Sequence, residues 1–226
     1  MQTGSIGRDY RWHILEHYNR HAYFYDVMEF LRRGTRREAL LLSDWCSGER
    51  VLDLCTGTGE LALTFVSQGA TVVGTDIARE MLKRALGKSS SLRSAWVEMD
   101  ATELGFADHS FEISLLSLAL HHMPILVQVR VLQELRRVTS KRIMIIEPDV
   151  PVDQRWVPLW TFVASIIDES EYMHEWVRQD LTGTCRMAGL NVEAVHRTTL
   201  GLHRILICNP GRAKSKTEAV RVAVAA

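Results

Sequence analysis

The stretch VLDLCTGTGELAL, Val51–Leu63, decides the fold of this chain. A predicted strand at Arg50–Cys55 leads into a turn that contains Gly57 and Gly59, and a helical pattern begins directly afterwards. The two glycines permit a tight turn and a close approach of the backbone to a ligand. The start of a helix presents N–H groups that lack partners within the helix. This order of strand, glycine turn and helix predicts the ligand-binding loop of an α/β protein.

Strands and helices alternate downstream of this loop. Short apolar or β-branched runs predict strands at Arg50–Cys55, Thr71–Thr75, Ala95–Met99, Phe111–Ser117 and Arg142–Glu147. Helical patterns separate them at Leu61–Ser67, Arg79–Leu86 and Ile125–Val138. Continuous apolar strands separated by helices indicate a parallel sheet that is covered on both faces. We therefore predict an α/β fold with a doubly wound, mostly parallel, Rossmann-like sheet.

The C-terminal part predicts a different connection. Two helices, Trp156–Ile167 and Glu171–Ala188, precede strands at Asn191–Thr198 and Leu202–Cys208. The turn at Gly201 is too short for a crossover, so these two strands should form an antiparallel hairpin.

Three regions are expected along the chain. Residues 1–48 carry helical patterns at Tyr10–Tyr25 and Asp26–Trp45, which should form a cap over one edge of the sheet. Residues 49–210 form the sheet domain. Residues 211–226, GRAKSKTEAVRVAVAA, are basic and then small and apolar, which is typical of a disordered tail.

Composition excludes several classes of protein. The 226 residues contain 27 Lys+Arg and 27 Asp+Glu, so the formal net charge is zero and no global field attracts nucleic acid or anionic lipid. No run approaches 18 apolar residues, and the first residues lack the pattern of a secretory signal. The four cysteines match no zinc or redox spacing. We expect a cytoplasmic monomer or homodimer that acts on a small molecule, with no membrane span, nucleic-acid partner or metal.

Three aspartates at strand ends suggest what the loop binds. Gly57 and Gly59 also fit a dinucleotide-binding pattern, and Asp76 lies 19 residues after Gly57, where a ribose-binding acid belongs. Asp53, however, would face the like charge of a pyrophosphate at this loop. S-adenosylmethionine carries an ammonium and a sulfonium and no phosphate, and therefore complements Asp53. The alternative for Asp53 is a strand-end acid that caps nearby N–H groups.

The other two acids have matching roles toward that ligand. Asp76 can accept hydrogen bonds from both ribose hydroxyls, and Asp100 from the adenine amine. Ile77, Met99 and Ala101 could flank the adenine ring.

Four motifs in order resemble the class I S-adenosylmethionine-dependent methyltransferases: VLDLCTGTG, VVGTDIAREML, VEMDATELGFADHSFE and LLSLALHHMP. The resemblance runs from about Glu49 to Cys208. It implies a seven-stranded sheet that ends in a hairpin, and S-adenosylmethionine as cofactor. The implied cofactor-binding residues are Asp53, Cys55, Thr56, Gly57, Gly59, Asp76, Ile77, Met81, Asp100, Ala101 and Ser117. Cys55 departs from the family pattern, which has a glycine there.

Within this family the sequence is most similar to the ubiquinone/menaquinone-biosynthesis C-methyltransferases. The similarity is carried by YDVMEFLRRGTRREALL, DLCTGTGELA and GLNVEAVHRTTLGLHRILI. It implies methyl transfer to a small, partly apolar acceptor such as a phenolic or quinone-like ring carbon. The alternatives are an O-, N- or S-methyltransferase of another metabolite, a non-catalytic S-adenosylmethionine-binding protein, and an NAD-type oxidoreductase.

Two histidines, His121 and His122, follow the fourth predicted strand. Either could act as a base on an acceptor proton, because histidine titrates near neutrality. Alternatively, one packs against the cofactor or a helix and the other is solvated. The pair is not expected to bind metal, since adjacent side chains diverge and no third ligand is evident.

Two further clusters have structural explanations. The aromatic residues between the fifth strand and the hairpin are expected to be core or to line an acceptor pocket. Arg32, Arg33, Arg36 and Arg37 are expected to form a solvated helix face.

Overall fold

The computed structural model describes residues 32–89, 93–151, 153, 155–168, 172–199 and 201–211. The strands in this part of the chain are β1 (Arg50–Leu54), β2 (Thr71–Asp76), β3 (Ser94–Glu98), β4 (Phe111–Ser117), β5 (Thr139–Pro148), β6 (Asn191–Arg197) and β7 (His203–Asn209). The helices are α1 (Arg33–Leu42), α2 (Glu60–Val66), α3 (Arg79–Lys88), α4 (Ile125–Val138), α5 (Val157–Asp168), α6 (Met173–Trp176) and α7 (Leu181–Met187), with a 3-10 turn at Leu120–His122.

The strands form one sheet in the order β3-β2-β1-β4-β5-β7-β6. Strands β1 to β5 pair in parallel, whereas β7 pairs antiparallel with both β5 and β6. The predicted doubly wound sheet with a terminal hairpin is therefore confirmed. Strand order reverses between β1 and β4, and ligands of such sheets bind at the carboxyl ends beside this switch point.

Each face of the sheet covers its own core. Leu52, Leu116, Ile145 and Leu206 pack with Trp176 on one face. Their strand neighbours, including Val51, Leu115, Met144 and Ile205, pack with Phe65 of α2 and Ala39 of α1 on the other. Because alternate residues of a strand point to opposite faces, Glu147 of β5 and Arg204 of β7 lie on the face of Trp176.

One predicted helix is wrong. Glu171–Ala188 is divided into α6 and α7, because Asp180 has an extended backbone with φ −80° and ψ 92°. Aspartate favours the position before a helix, so α7 restarts after it. The segment predicted helical over Asp26–Trp45 contains α1, which is shorter.

Parts of the predicted cap and tail, residues 1–31 and 212–226, lie outside the described residues. The three-region division stays a prediction. None of the helices within the described ranges is both long and apolar enough to cross a membrane.

Candidate active site

The glycine loop, residues 55–59, joins β1 to α2 at the carboxyl edge of the sheet. The Gly57 N–H donates to Asp76 Oδ2 at 2.8 Å, and the Thr56 N–H donates to the carbonyl of Thr75 at 2.9 Å. The end of β2 therefore holds the loop directly. A Cβ on Gly57 would meet nothing within 4 Å, so the loop has open space at this point.

Gly59 is required for two independent reasons. Its φ of +81° is in the left-handed region that L side chains rarely adopt. A Cβ there would also lie 2.7 Å from the Trp96 ring and 2.9 Å from the Ala85 Cβ. Trp96 thus supports the loop from β3, a contact that the loop sequence does not reveal.

Strained backbone flanks the crevice between β1 and β4. Cys55 has a φ of +55° directly after β1, and Leu118 has a φ of +54° directly after β4. Non-glycine residues in this region cost free energy, and such residues cluster at functional sites. Cys55, where the family pattern has a glycine, therefore adopts a conformation that favours glycine.

Asp53 is buried at the end of β1 and is turned toward the loop. Its Oδ2 accepts hydrogen bonds from the Thr56 hydroxyl at 2.5 Å and from the Ala62 N–H at 3.2 Å. The bond from the Ala62 N–H is of the capping kind that was the alternative for this residue. Contact between Asp53 and a ligand stays a prediction.

Asp76 lies half-buried at the end of β2. Its carboxylate accepts from the N–H groups of Gly57 and Ala78, each at 2.8 Å. Burial raises the pKa of Asp76, and the hydrogen bonds from Ala78, Gly57 and Ile77 partly oppose that rise. Since a carboxylate has about four acceptor positions, it can also accept from a ligand.

The remaining predicted cofactor residues lie along the same edge. Asp100 Oδ1 accepts from both the N–H and the hydroxyl of Thr102, each at 2.8 Å. Ile77, Ala101 and Ser117 are half-buried at or just after strand ends, whereas Met81 is buried in α3. The structure therefore brings Asp76, Asp100 and the loop to one edge.

Negative charge is concentrated in this crevice. Burial raises the pKa of the Cys55 thiol well above its ordinary value, and four nearby carboxylates raise it further: Asp76, Asp53, Glu147 and Asp100. A thiolate would therefore be unfavourable there.

Glu147, at the end of β5, was missed by the sequence reasoning. It is fully buried, and its Oε2 lies 2.6 Å from His121 Nδ1. Its Oε1 accepts from the N–H groups of Ala119 and Leu120 at 3.0 and 2.8 Å. The sequence feature that could have identified Glu147 is its place as a lone acid in the apolar run RIMIIEP. A carboxylate buried in such a strand needs hydrogen-bond donors.

The two histidines are both buried. His121 is 0% and His122 is 6% exposed, and their ring centroids lie 4.1 Å apart. The alternative in which one of them is solvated is wrong, because both rings of the 3-10 turn are buried. The Trp176 ring lies 5.8 Å from the ring of His121.

The arginine and aromatic clusters are each divided between surface and interior. Arg36 is buried, and its guanidinium lies 3.7 Å from the Glu60 carboxylate, so the expectation of a fully solvated arginine face is wrong there. Trp176 is buried, as expected for core, whereas Trp156 and Phe162 are exposed. No cluster of three possible metal ligands occurs within the ranges that the structure describes.

Comparisons with known proteins show what this chain is similar to. A family model described as a methyltransferase domain matches residues 51–142. A ubiquinone/menaquinone biosynthesis C-methyltransferase from Bdellovibrio bacteriovorus is 36% identical over 119 residues, or 50% of this chain and 49% of that protein, so this match spans about half of the relative's length. Its counterpart from Paracoccus denitrificans is 32% identical over 187 residues, or 72% of this chain and 74% of that protein.

A solved structure supports the fold. An S-adenosylmethionine-dependent methyltransferase from Aquifex aeolicus superposes with a TM-score of 0.55 at 18% identity, covering 76% of this chain and 88% of that one.

Proposed function

Because the chain belongs to the class I S-adenosylmethionine-dependent methyltransferase family, we propose that it transfers a methyl group from S-adenosylmethionine to a small, partly apolar acceptor. The proposed acceptor atom is a ring carbon of a phenolic or quinone-like molecule. The names of the Bdellovibrio and Paracoccus relatives support this class of acceptor.

One observation carries the proposal: two carboxylates hold the glycine loop at the switch point of the sheet. Asp53 accepts from the Thr56 hydroxyl, and Asp76 accepts from the Gly57 N–H. A dinucleotide would bring two further negative charges to this loop, whereas a sulfonium and an ammonium are attracted there. This favours S-adenosylmethionine over NAD.

The described residues fit S-adenosylmethionine. Asp76 would hold the ribose hydroxyls, and Asp100 the adenine amine. The open space at Gly57 leaves room for the ligand beside the loop. When bound, S-adenosylmethionine supplies a methyl group that is already activated by its sulfonium. The protein's task is then to orient the acceptor and to exclude water.

Loss of the acceptor proton is the step at which a side chain can assist. Methylation at a phenolic ring carbon forms a carbon–carbon bond, and the ring carbon then loses its hydrogen as a proton. Glu147 Oε2 lies 2.6 Å from His121 Nδ1, and in our proposal the ring proton is held at Nδ1 while Nε2 acts as the base. We assign the proton-accepting role to His121, with Glu147 stabilising the imidazolium that forms.

Calorimetry tests the choice of ligand. S-adenosylhomocysteine should bind the purified protein, and NADH should not. Binding of NADH alone would contradict the proposal.

A second experiment tests the catalytic assignment with radiolabelled S-adenosylmethionine and a panel of phenols, hydroquinones and amines. Phenols or hydroquinones should be labelled on carbon, and His121→Gln should lower kcat by about 10²–10⁴. Its affinity for S-adenosylhomocysteine should not change. Product labelled only on oxygen or nitrogen would contradict the ring-carbon proposal, whereas an unchanged kcat would remove His121 from the reaction.

A further inference from the structure

Arg204 is a half-buried cation, and two of its three side-chain nitrogens lack hydrogen-bond partners among the residues that the structure describes. It lies on β7 directly opposite Glu147 of β5. Its Nε and Nη2 atoms are buried and have no hydrogen-bond partner within the described part of the chain. Its guanidinium carbon lies 5.4 Å from the centroid of the Trp176 ring. Burial lowers the pKa of Arg204, while the charges of Asp149 and Glu147 oppose that change.

The acids near Arg204 are engaged elsewhere. Glu147 accepts from His121 and from the N–H groups of Ala119 and Leu120. Asp149 Oδ2 lies 3.0 Å from the Nε of Arg197. These two carboxylates therefore contribute electrostatic attraction to Arg204, but their described bonds go to other groups.

A second hydrogen-bond donor, next to Arg204, also lacks an acceptor within the described residues. The indole Nε1 of Trp176 is buried and has no hydrogen-bond partner within the described residues. Buried donors without acceptors destabilise a protein, and native structures contain few of them. Two such groups lie in adjacent side chains, next to the ring of His121. They indicate a binding site in which a bound molecule supplies the missing acceptors.

We propose that Arg204 and Trp176 bind the anionic oxygen of the methyl acceptor. This proposal rests on the proposed function and adds the residues that recognise the acceptor's charge. The position, at the carboxyl end of β5 on the face of His121, is consistent with contact to the acceptor.

The chemistry explains why a guanidinium is suited to this position. An aromatic hydroxyl that gives its proton to solvent as it binds becomes an oxyanion, whose charge is shared with the ring carbons and makes them nucleophilic. The methyl–sulfur bond breaks as the methyl–carbon bond forms, and the electron pair returns to sulfur. The ring carbon then loses its proton to His121. A guanidinium paired with the oxygen stabilises the oxyanion by charge-assisted hydrogen bonds.

Binding of two matched probes tests the proposal without relying on turnover. The probes are 1,4-dihydroxynaphthalene, kept reduced, and its dimethyl ether, which cannot ionise or donate. Each is titrated by calorimetry into protein saturated with S-adenosylhomocysteine. The parent protein should bind the diol at least tenfold more tightly than the ether. Arg204→Met should abolish that preference while leaving binding of the ether unchanged, and Arg204→Lys should restore part of it.

Two controls separate recognition from folding. Arg50→Met removes an arginine that is bonded to Glu112 at the opposite end of the sheet, and it should keep the preference for the diol. Arg204→Met should have a Tm equal to or above that of the parent, because it removes unpartnered buried donors. A lower Tm would identify Arg204 as a structural residue.

The outcomes are distinct. A parent protein that shows no preference for the diol, including one that binds neither probe, overturns the proposal, as does an Arg204→Met variant that keeps the preference. Failure of S-adenosylhomocysteine to bind the parent protein would instead overturn the proposed function.

Discussion

At the scale of single residues, backbone conformation decides what each loop position tolerates. Cys55, Gly57 and Gly59 all have left-handed φ values. Of the two glycines, only Gly59 would place a Cβ against a packed neighbour. Gly57 and Gly59 look equivalent in the sequence, but a side chain would destabilise the protein more at Gly59.

The glycines provide a matched pair of variants. Gly57→Ala should cost about 1 kcal/mol of stability, because the space at the position is open and only the φ is unfavourable. Gly59→Ala should cost at least about 3 kcal/mol, since strain and overpacking against Trp96 add. Urea denaturation of both variants measures the difference, and equal losses would refute the role of Trp96.

Cys55 allows the reverse experiment. Cys55→Gly relieves left-handed strain of about 1–2 kcal/mol and loses about 0.5–1 kcal/mol to the flexibility of glycine in the unfolded chain. We expect a net increase of about 0.5–1 kcal/mol in the free energy of unfolding. A decrease in urea denaturation would show that packing of the thiol outweighs the strain.

Asp76 should make cofactor binding depend on pH. Ribose hydroxyls donate to the ionised carboxylate, so binding is weakened when the carboxyl is protonated. Because burial raises the pKa of Asp76, affinity for S-adenosylhomocysteine should fall as the pH drops through that raised value, at a higher pH than an ordinary aspartate would cause.

Calorimetry from pH 7.5 downward measures this dependence on Asp76. Asp76→Ala should weaken binding by about 1–3 kcal/mol and remove this pH step. Unchanged affinity in the variant would exclude Asp76 from the site.

At the scale of elements, the ends of β4 and β5 are joined by one buried carboxylate. Glu147 holds the two N–H groups at the start of the 3-10 turn, as well as the ring of His121. The turn that follows β4 is thereby fixed to the next strand. The proposed base is positioned by elements whose strands are already paired, rather than by a mobile loop.

Breaking this link should destabilise the protein. His121→Leu leaves Glu147 buried without its ring partner, and we expect a loss of about 3–5 kcal/mol in the free energy of unfolding. His174→Leu changes an exposed histidine of α6 and should stay within about 0.5 kcal/mol of the parent. Similar losses in urea denaturation would show that the Glu147 link contributes little.

At the scale of the whole molecule, charge is balanced overall and unbalanced locally. The chain has 27 Lys+Arg and 27 Asp+Glu residues, yet two carboxylates, Asp53 and Asp76, accept hydrogen bonds from the glycine loop. The field inside the crevice therefore differs from the field around the protein. Ligand selection depends on the local electrostatic field, because the low-dielectric walls of a crevice concentrate that field.

This local field should separate two ligands of nearly equal shape. Sinefungin carries an additional ammonium in place of the sulfur of S-adenosylhomocysteine. We expect it to bind at least about threefold more tightly, since the positive charge lies in a negative crevice. Competitive calorimetry at constant ionic strength measures the ratio, and a ratio below one would contradict a cation-selective site.

The fold was predictable because its determinants are local in the chain. Apolar runs separated by helical patterns specify parallel strands and crossovers, and the short turn at Gly201 allows only a hairpin. The order β5-β7-β6 was not specified by these patterns. The restart of helix at α7 was missed because one extended residue, Asp180, interrupts a region that otherwise reads as helical.

The ordered motifs were sufficient to indicate the family and the edge of the sheet at which Asp76 and Asp100 lie. Only the tertiary structure brought Glu147 to His121, Trp96 beneath Gly59, and Arg204 to Trp176. These partners are separated by 26, 37 and 28 residues along the chain. Contacts of this kind are formed when strands pair and faces pack, so no local pattern in the sequence encodes them.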